Sequence, residues 1–299
     1  MKEKVEKLIE TLKSDNTGVE AVALYQNGEI LIEHHFTPSP PRCIYSHTKS
    51  YTATAVGIAI DEGKLSLSDK VVDLFPEYES VITDESMKKV ELRHLLMMAS
   101  GVGDALLMGD SRKRGEGYPD YIAYFLSRKL KYAPGERFVY SNADTHMAGS
   151  MVERAVGDKL QRYVYEKILK KLDIGFPGWE TDPAGTAFGA SGMYLTIRDM
   201  MKLGILYLND GMWDGERIVS SEWIREAGKR QIETGNRGRW SPGYGYQFWT
   251  MPTEGSYRAD GAFGQLSIVM PHKNAVFATQ CSEYNNVDKF ISLVLDTCE

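Results

Sequence analysis

Two residues whose types and spacing could perform chemistry, Ser46 and Lys49, stand three positions apart. The residues that follow, 51–62, have a helical pattern that stops at Gly63. Side chains three apart on a helix share a face, so the Lys49 amine would lie near the Ser46 hydroxyl whose proton must leave. In the first helical turn, free backbone N–H groups and the positive end of the helix dipole would favour a developing oxyanion. The pattern predicts a serine nucleophile for acyl transfer.

The Ser-x-x-Lys spacing is not specific, because it should arise about once by chance in a chain of this length. Ser86 and Lys89 have the same spacing, but they stand in a charged segment typical of a solvated surface. Residues 189–193 miss a Gly-x-Ser-x-Gly nucleophile elbow by one position, which disfavours an α/β-hydrolase. The interpretation of Ser46 therefore depends on what the rest of the chain supplies.

Tyr140 and Asn142 form a second candidate group, just before a helical pattern over residues 143–156. The same Tyr-x-Asn spacing occurs at residues 207–209 and 284–286, which belong to a helix end and a surface turn. Only the first copy stands at the exposed end of a short connection that enters a helix. Tyr140 and Asn142 are therefore the better-placed copy of this spacing.

The elements that must position these residues begin with an amphipathic helix over residues 2–13, where apolar side chains recur at helical spacing. Strands over residues 21–25 and 30–35 flank residues 27–28, an Asn-Gly sequence typical of a tight hairpin turn. A proline-rich link then leads to Ser46. The nucleophile would thus follow a strand pair and begin a helix.

The middle of the chain is mostly helical and the last quarter returns to strands. We predict helices over residues 92–98, 118–130, 143–156, 200–208 and 287–295, and a capping box at residues 196–199. We predict strands over residues 244–249, 266–270 and 275–279. This order predicts an α/β (α+β) fold with an antiparallel sheet from both chain ends, terminal helices on it and an inserted all-helical lobe. We expect one domain of residues 1–299, with a sheet lobe of about 1–60 and 200–299 and a helical lobe of about 61–199.

Composition narrows the functional classes. The net charge of −6 and the pI near 5.6 argue against a nucleic-acid or anionic-membrane partner and favour a small molecule. The charged N-terminal residues contain no apolar run typical of a signal peptide, so we expect a cytoplasmic protein. The oligomeric state is left open.

Cysteine and histidine patterns do not indicate a metal or disulfide framework. The three cysteines, Cys43, Cys281 and Cys298, lack Cys-x-x-Cys spacing. We expect Cys43 to be a small, buried and inert thiol although it lies near Ser46. His47 falls on a different helix face from Ser46, so a packing role is favoured.

Together with the glycine-containing residues 260–265, these patterns resemble the serine β-lactamase and penicillin-binding-protein superfamily. The nearest branch is that of class C β-lactamase-like hydrolases, which includes esterases, D-amino-acid peptidases and 6-aminohexanoate-dimer hydrolases. The resemblance covers nearly the whole chain and rests on residues 46–49, 140–142 and 260–265, supported by residues 61–65, 94–101, 132–135 and 196–200. It implies a β-lactamase/transpeptidase-like fold and a hydrolase that needs no metal or organic cofactor.

The resemblance also implies roles for individual residues. Ser46 would attack a carbonyl carbon, and either a neutral Lys49 or an ionised Tyr140 would take its proton. The backbone N–H groups of Ser46 and Ala262 would form the oxyanion hole, and Asn142 would orient the substrate and Lys49. The sequence leaves the choice of base open.

The third motif departs from the family pattern. Many members that process β-lactams have Lys or His, then Thr or Ser, before the glycine that Gly261 matches, whereas this chain has Asp260 there and Arg258 two residues earlier. The Asp260 carboxylate would repel the carboxylate of β-lactams, so we expect poor β-lactamase activity and a preference for neutral or amine-bearing amides or esters. In the alternative interpretation, Asp260 points away and Arg258 supplies the cation.

We therefore predict a serine hydrolase that cleaves an amide or ester bond of a small molecule through an acyl-enzyme on Ser46. The site should lie between the sheet and the helical lobe, shaped by residues 101–117 and 240–249. One alternative is a β-lactamase or penicillin-binding D-amino-acid peptidase. The other is a catalytically silent scaffold or ligand-binding protein of the same fold.

Overall fold

Strands from the two ends of the chain pair at the centre of one antiparallel sheet. The computed structural model describes residues 1–14, 18–38, 40–235, 240–253, 255–282 and 286–299. Its strands are β1 (Val19–Gln26), β2 (Glu29–His35), β3 (Arg42–Cys43), β4 (Tyr194–Leu195), β5 (Met212–Trp213), β6 (Glu216–Arg217), β7 (Ile232–Glu233), β8 (Gly243–Tyr244), β9 (Trp249–Thr250), β10 (Tyr257–Gly261), β11 (Gln265–Met270) and β12 (Ala275–Cys281). Eight of them form the sheet β2-β1-β12-β11-β10-β9-β8-β7. The pairing of β1 with β12 confirms that both chain ends build it.

The predicted hairpin forms between β1 and β2. Asn27 has a φ of 55° and Gly28 a φ of 94°, as the two central residues of a type I′ turn require. Gln26 and Glu29 are the last paired residues on either side of the turn. The Asn-Gly sequence therefore sets the register of the first two strands.

Helices cover both faces of the sheet. The described residues form the α-helices α1 (Lys2–Ser14), α2 (Thr48–Asp61), α3 (Val71–Leu74), α4 (Leu92–Leu96), α5 (Gly109–Lys113), α6 (Tyr121–Leu126), α7 (Asn142–Val156), α8 (Leu160–Val164), α9 (Ile197–Leu208), α10 (Ser221–Gly228) and α11 (Val287–Cys298). Leu8 of α1 and Phe290 of α11 share an apolar cluster with Phe277 of β12. On the opposite face, Met201 of α9 packs with Val276 of the same strand. The terminal helices and α9 thus enclose the sheet between them.

Helix α2 lies in the interior of the protein. All of its residues from Thr48 to Ala59 are buried, and it packs extensively against α7. A helix without a solvent-exposed face is stable only when other elements surround it. Burial on every side therefore fixes the position of the residues at its N-terminal end.

One predicted strand is wrong. Residues 244–249 form two short strands, β8 and β9, because the chain reverses between them and Gln247 has a φ of 65°. The Gln247 side chain donates to the carbonyls of Leu95 and Leu96 and accepts from Thr145 Oγ1 at 2.7 Å. These buried hydrogen bonds to two helices outweigh the β-propensity of the neighbouring aromatic residues.

Two predicted helices are shorter than expected. Helix α6 begins only at Tyr121, where Asp120 accepts hydrogen bonds from the first free N–H groups, and ends at Leu126. Helix α4 ends at Leu96. The predicted capping box at residues 196–199 is confirmed at the start of α9. Within the described ranges, every helix is too short or too polar to cross a lipid bilayer.

The contact between α2 and α10 generates a stability prediction. A Cβ atom on Gly57 would lie 2.5 Å from the Trp223 ring, so Gly57→Ala forces the indole or the helix to move. Overpacking of this kind costs about 1–3 kcal/mol of the free energy of unfolding. We expect urea denaturation to show a loss in this range. The matched control is Gly109→Ala, where a Cβ meets no atom within 4 Å, and which should change stability by under about 0.5 kcal/mol.

Candidate active site

Ser46 stands at the entrance to α2. It lies in a 3-10 turn, Tyr45–His47, that continues directly into the α-helix at Thr48. The Ser46 side chain is partly exposed, whereas the helix that follows is buried. The hydroxyl is therefore accessible to solvent at the N-terminal end of a buried helix. The backbone N–H groups of the first helical turn have no partner within the helix.

The Lys49 amine is enclosed beside this hydroxyl. Lys49 is 1% exposed, and its Nζ lies 3.3 Å from Ser46 Oγ. Nζ also donates to Asn142 Oδ1 at 2.5 Å and to the Ala190 carbonyl at 2.7 Å. Burial lowers the pKa of Lys49 well below its usual value, and the opposing effect of the Asp144 carboxylate is smaller. The neutral form of the amine is thus favoured relative to that of a lysine in water.

Asn142 is held in one orientation. It is the first residue of α7, and its Nδ2 donates to the Leu107 carbonyl at 2.9 Å. Its backbone N–H donates to the Leu106 carbonyl at 3.1 Å. Because the amide nitrogen is committed to Leu107, the amide oxygen faces Lys49. The loop before α5 therefore orients the residue that contacts the amine.

The Tyr140 ring forms another side of the site. Its centroid lies 5.1 Å from Lys49 Nζ. The ring stacks on Trp249 at 5.4 Å and meets Tyr244 edge-on at 6.2 Å. The reversal between β8 and β9, which the sequence did not predict, brings both aromatic residues to this ring.

Gly261 brings the end of β10 against the turn that contains Ser46. A Cβ atom at this position would lie 2.1 Å from the Ile44 carbonyl oxygen and 3.2 Å from the His47 backbone nitrogen. Only glycine permits this approach of two backbones. Ala262, the next residue, is exposed at the tip of the β10–β11 hairpin. The structure therefore brings the Gly261–Ala262 segment and Ser46 together.

Asp260 and Arg258 pair with each other, a result that neither interpretation from the sequence included. Arg258 is fully buried, and its Nε donates to Asp260 Oδ2 at 2.8 Å. The guanidinium also lies 3.8 Å from the Trp240 ring centroid and donates to the Trp240 carbonyl at 2.7 Å. Burial raises the pKa of Asp260 and the charge of Arg258 opposes that rise. Arg258 is thus a buried partner of Asp260 rather than an accessible cation.

Asp144 is a buried acid near the site that sequence reasoning missed. Its carboxylate accepts hydrogen bonds from the Ser100 hydroxyl at 3.1 Å and the Ser100 backbone N–H at 3.3 Å. Burial raises the pKa of Asp144 to about 7, against the lowering effect of these hydrogen bonds and of Lys49. The sequence signal was an acid two positions after Asn142 in an otherwise uncharged first turn of α7.

Two residues near Ser46 have little reactivity of their own. His47 is buried, and its Nε2 lies 2.9 Å from Ser267 Oγ. Burial lowers the pKa of His47 to about 3, so the ring is neutral and packs as predicted. Cys43 is partly rather than fully buried, and burial raises the pKa of its thiol. A protonated thiol is a poor nucleophile.

Comparison with known proteins places this geometry in a family. The family described as Beta-lactamase matches residues 5–290. A 6-aminohexanoate-dimer hydrolase from Paenarthrobacter ureafaciens is 26% identical over 282 residues, which are 88% of this chain and 72% of that protein.

Solved structures share the fold. The octameric penicillin-binding protein homologue from Pyrococcus abyssi superposes with a TM-score of 0.74 at 21% identity, over 97% of this chain and 75% of that one. A family VIII carboxylesterase superposes with a TM-score of 0.76 at 16% identity, over 99% of this chain and 96% of that one. At these identities the superpositions establish a β-lactamase/transpeptidase-like fold. With the family match over nearly the whole chain, they show that this protein belongs to the beta-lactamase family and is a serine hydrolase.

Proposed function

We propose that the protein hydrolyses an amide or ester bond of a small molecule in two steps, through an acyl-enzyme on Ser46. The observation that supports this most directly is the contact of Ser46 Oγ with a buried amine 3.3 Å away. A serine hydroxyl is a weak nucleophile until an adjacent base removes its proton. Lys49 stands where such a base is needed, and burial keeps it able to accept a proton.

The hydrogen bonds of Lys49 support it as the base. A neutral amine has two N–H donors and one lone pair. Asn142 Oδ1 and the Ala190 carbonyl are both acceptors, and together they use two donors. The lone pair is then left for the Ser46 hydroxyl. After the proton moves, the three N–H groups of the ammonium have three acceptors, Asn142 Oδ1, the Ala190 carbonyl and Ser46 Oγ, so the site accommodates both protonation states of the base.

The proposed reaction consists of acylation of Ser46 followed by hydrolysis of the acyl-enzyme. Ser46 Oγ bonds to the carbonyl carbon as its proton passes to Lys49 Nζ. The carbon–nitrogen or carbon–oxygen bond breaks, and the leaving group takes a proton through Tyr140 and Lys49. Water later attacks the acyl-enzyme and gives a proton to Lys49, and the acid departs as Ser46 regains its hydrogen.

The oxyanion hole in this proposal consists of the backbone N–H groups of Ser46 and Ala262. Ser46 lies in the turn at the helix entrance, and Ala262 follows the glycine that contacts that turn. Backbone donors fixed by a strand and a helix need no reorganisation as the oxyanion develops. The approach of Gly261 to Ile44 and His47 supports this placement.

The paired state of Arg258 and Asp260 bears on substrate choice. Each charge is largely compensated by the other within the protein. The site therefore offers no accessible arginine at this motif for a substrate carboxylate, and we propose that β-lactams are poor substrates. Neutral or amine-bearing amides and esters are the preferred class. The 26% identical relative is a 6-aminohexanoate-dimer hydrolase, and a substrate of that kind agrees with a small amide.

The central test is a chromogenic panel of p-nitrophenyl esters, D-amino-acid anilides and nitrocefin. We expect wild type to turn over an ester or anilide faster than nitrocefin, and Ser46→Ala to lose at least about 10³-fold in kcat/KM. Ser86→Ala is the matched control, because Ser86 has the same spacing to a lysine but lies in the 3-10 helix Glu85–Lys89. Turnover that survives in Ser46→Ala would rule out this nucleophile.

The close approach of Gly261 generates a second test. In Gly261→Ala the new Cβ must displace the Ile44 carbonyl or the hairpin. Loss of one oxyanion donor costs about 10²- to 10³-fold in kcat, and we expect a loss of that size in a folded protein. Gly175→Ala, whose Cβ meets no atom within 4 Å, should leave kcat within about twofold. Full activity in Gly261→Ala would contradict the oxyanion assignment.

The charge of Asp144 generates a test of the base. Above its own pKa of about 7 the Asp144 carboxylate is negative and favours the protonated form of Lys49, so in that range Asp144→Asn lowers the pKa of Lys49 further. The acid limb of the pH profile of kcat/KM should then move to lower pH. Asp182→Asn, which removes a buried carboxylate paired with His146, should leave the limb in place. An acid limb that stays or moves to higher pH in Asp144→Asn would argue against Lys49 as the base.

A further inference from the structure

Two aromatic side chains stand next to the proposed oxyanion donors. Tyr45 immediately precedes Ser46, and Phe263 immediately follows Ala262. Their ring centroids lie 5.2 Å apart with an interplanar angle of 65°, an edge-to-face contact. We name these two rings the aromatic pair. It connects the two segments from which the N–H groups come.

The backbone conformation of both residues is unusual. Tyr45 has a φ of 46° and Phe263 a φ of 64°. Bulky side chains seldom adopt positive φ, and this conformation costs free energy that surrounding structure must offset. Such strain concentrates at functional sites. Its presence at both residues of the aromatic pair indicates that the direction of these side chains serves the site.

The aromatic pair is accessible from solvent. Phe263 is 37% exposed, and Tyr45 is partly exposed. Tyr194, on the strand that pairs with β3, is 42% exposed and close enough to Tyr45 to affect its titration. Burial is the largest of the effects that raise the pKa of Tyr45, so its phenol stays neutral. Neutral aromatic rings thus stand beside Ser46, and the Glu180 carboxylate lies near Tyr45 at the edge of this surface.

The geometry of acyl transfer indicates which part of a substrate meets this surface. The carbonyl oxygen must point to the N–H groups of Ser46 and Ala262. The leaving group must point to Tyr140 and Lys49, because it takes its proton there. The remaining substituent on the carbonyl carbon is the acyl group, and the aromatic pair is the apolar surface that flanks both oxyanion donors.

We infer that the aromatic pair is the acyl-binding wall of the enzyme and that it selects substrates whose acyl group is an apolar chain or ring. This inference rests on the proposed function, since it needs Ser46 as the nucleophile. Each methylene that the wall removes from water contributes a factor of up to about four in rate or affinity. For a chain that the wall covers on one side only, the rate or affinity should rise about two- to threefold for each added carbon.

The test uses alkyl fluorophosphonates in which the carbon chain on phosphorus takes the place of the acyl group. Ser46 Oγ bonds to phosphorus, fluoride leaves, and the hydroxyl proton passes to Lys49. Intact-mass kinetics on the full chain give the second-order rate constant for each chain from methyl to hexyl. We expect this constant in wild type to rise about two- to threefold for each added carbon.

Substitutions of the two rings test whether they bind the acyl chain or only hold the backbone of the site in place. Phe263→Asn and Tyr45→Asn remove one ring each, and asparagine tolerates positive φ. In both variants we expect the rate constant to rise less than about 1.5-fold for each added carbon. Phe263→Tyr keeps a ring and should show the wild-type dependence on chain length. Phe176→Asn, which removes a 59% exposed ring outside the site, is the matched control and should keep that dependence. Thermal melting confirms that each variant is folded.

The outcomes distinguish this inference from the proposed function. Absence of any adduct on wild-type Ser46 overturns both. An adduct whose rate does not depend on chain length in wild type overturns only the acyl-binding wall. In a third outcome, both ring-removal variants react more slowly with every chain but keep the wild-type increase for each added carbon. This result would assign the rings to backbone support and would also overturn the acyl-binding wall. If one asparagine variant fails to fold, the other gives the same test.

Discussion

Burial of the Lys49 amine is the constraint on which the rest of the site depends. An ammonium group loses most of its hydration in such a place, so the neutral form gains relative to the charged one. That form is stable there because two carbonyl-type oxygens, of Asn142 and Ala190, accept its hydrogens. The acceptors come from α7 and from the segment before β4, both distant in sequence. The site therefore exists only when α2, α7 and that segment pack together.

The second constraint is the contact between sheet and helix at Gly261. The strand order of the sheet brings the end of β10 to the turn before α2, and the missing side chain lets the two backbones approach. This contact holds a hairpin tip beside Ser46. Lys49 and Gly261 both lie beside Ser46 but belong to different layers of the fold, and the burial of α2 on all sides fixes the helix entrance between them.

Acidic residues show how surroundings change the meaning of a sequence pattern. Asp260 resembles an isolated surface carboxylate in the sequence, yet it pairs with a fully buried Arg258. The signal was present, because residues two apart on a strand share a face. Asp144 gave a weaker signal. Its effect arises from burial and from Ser100, which the chain places there through a separate segment.

The sequence by itself determined the features that depend on neighbouring residues: the Asn-Gly hairpin, the capping box of α9 and the amphipathic α1. It also determined the sheet from both chain ends and the order of the candidate motifs. Only the tertiary structure decided the break at Gln247, the acceptors of Lys49, the partner of Asp260 and the contact of Tyr45 with Phe263. The physical reason is that these features depend on hydrogen bonds and burial between segments far apart in the chain. Local propensity and spacing hold no information about which of those segments meet.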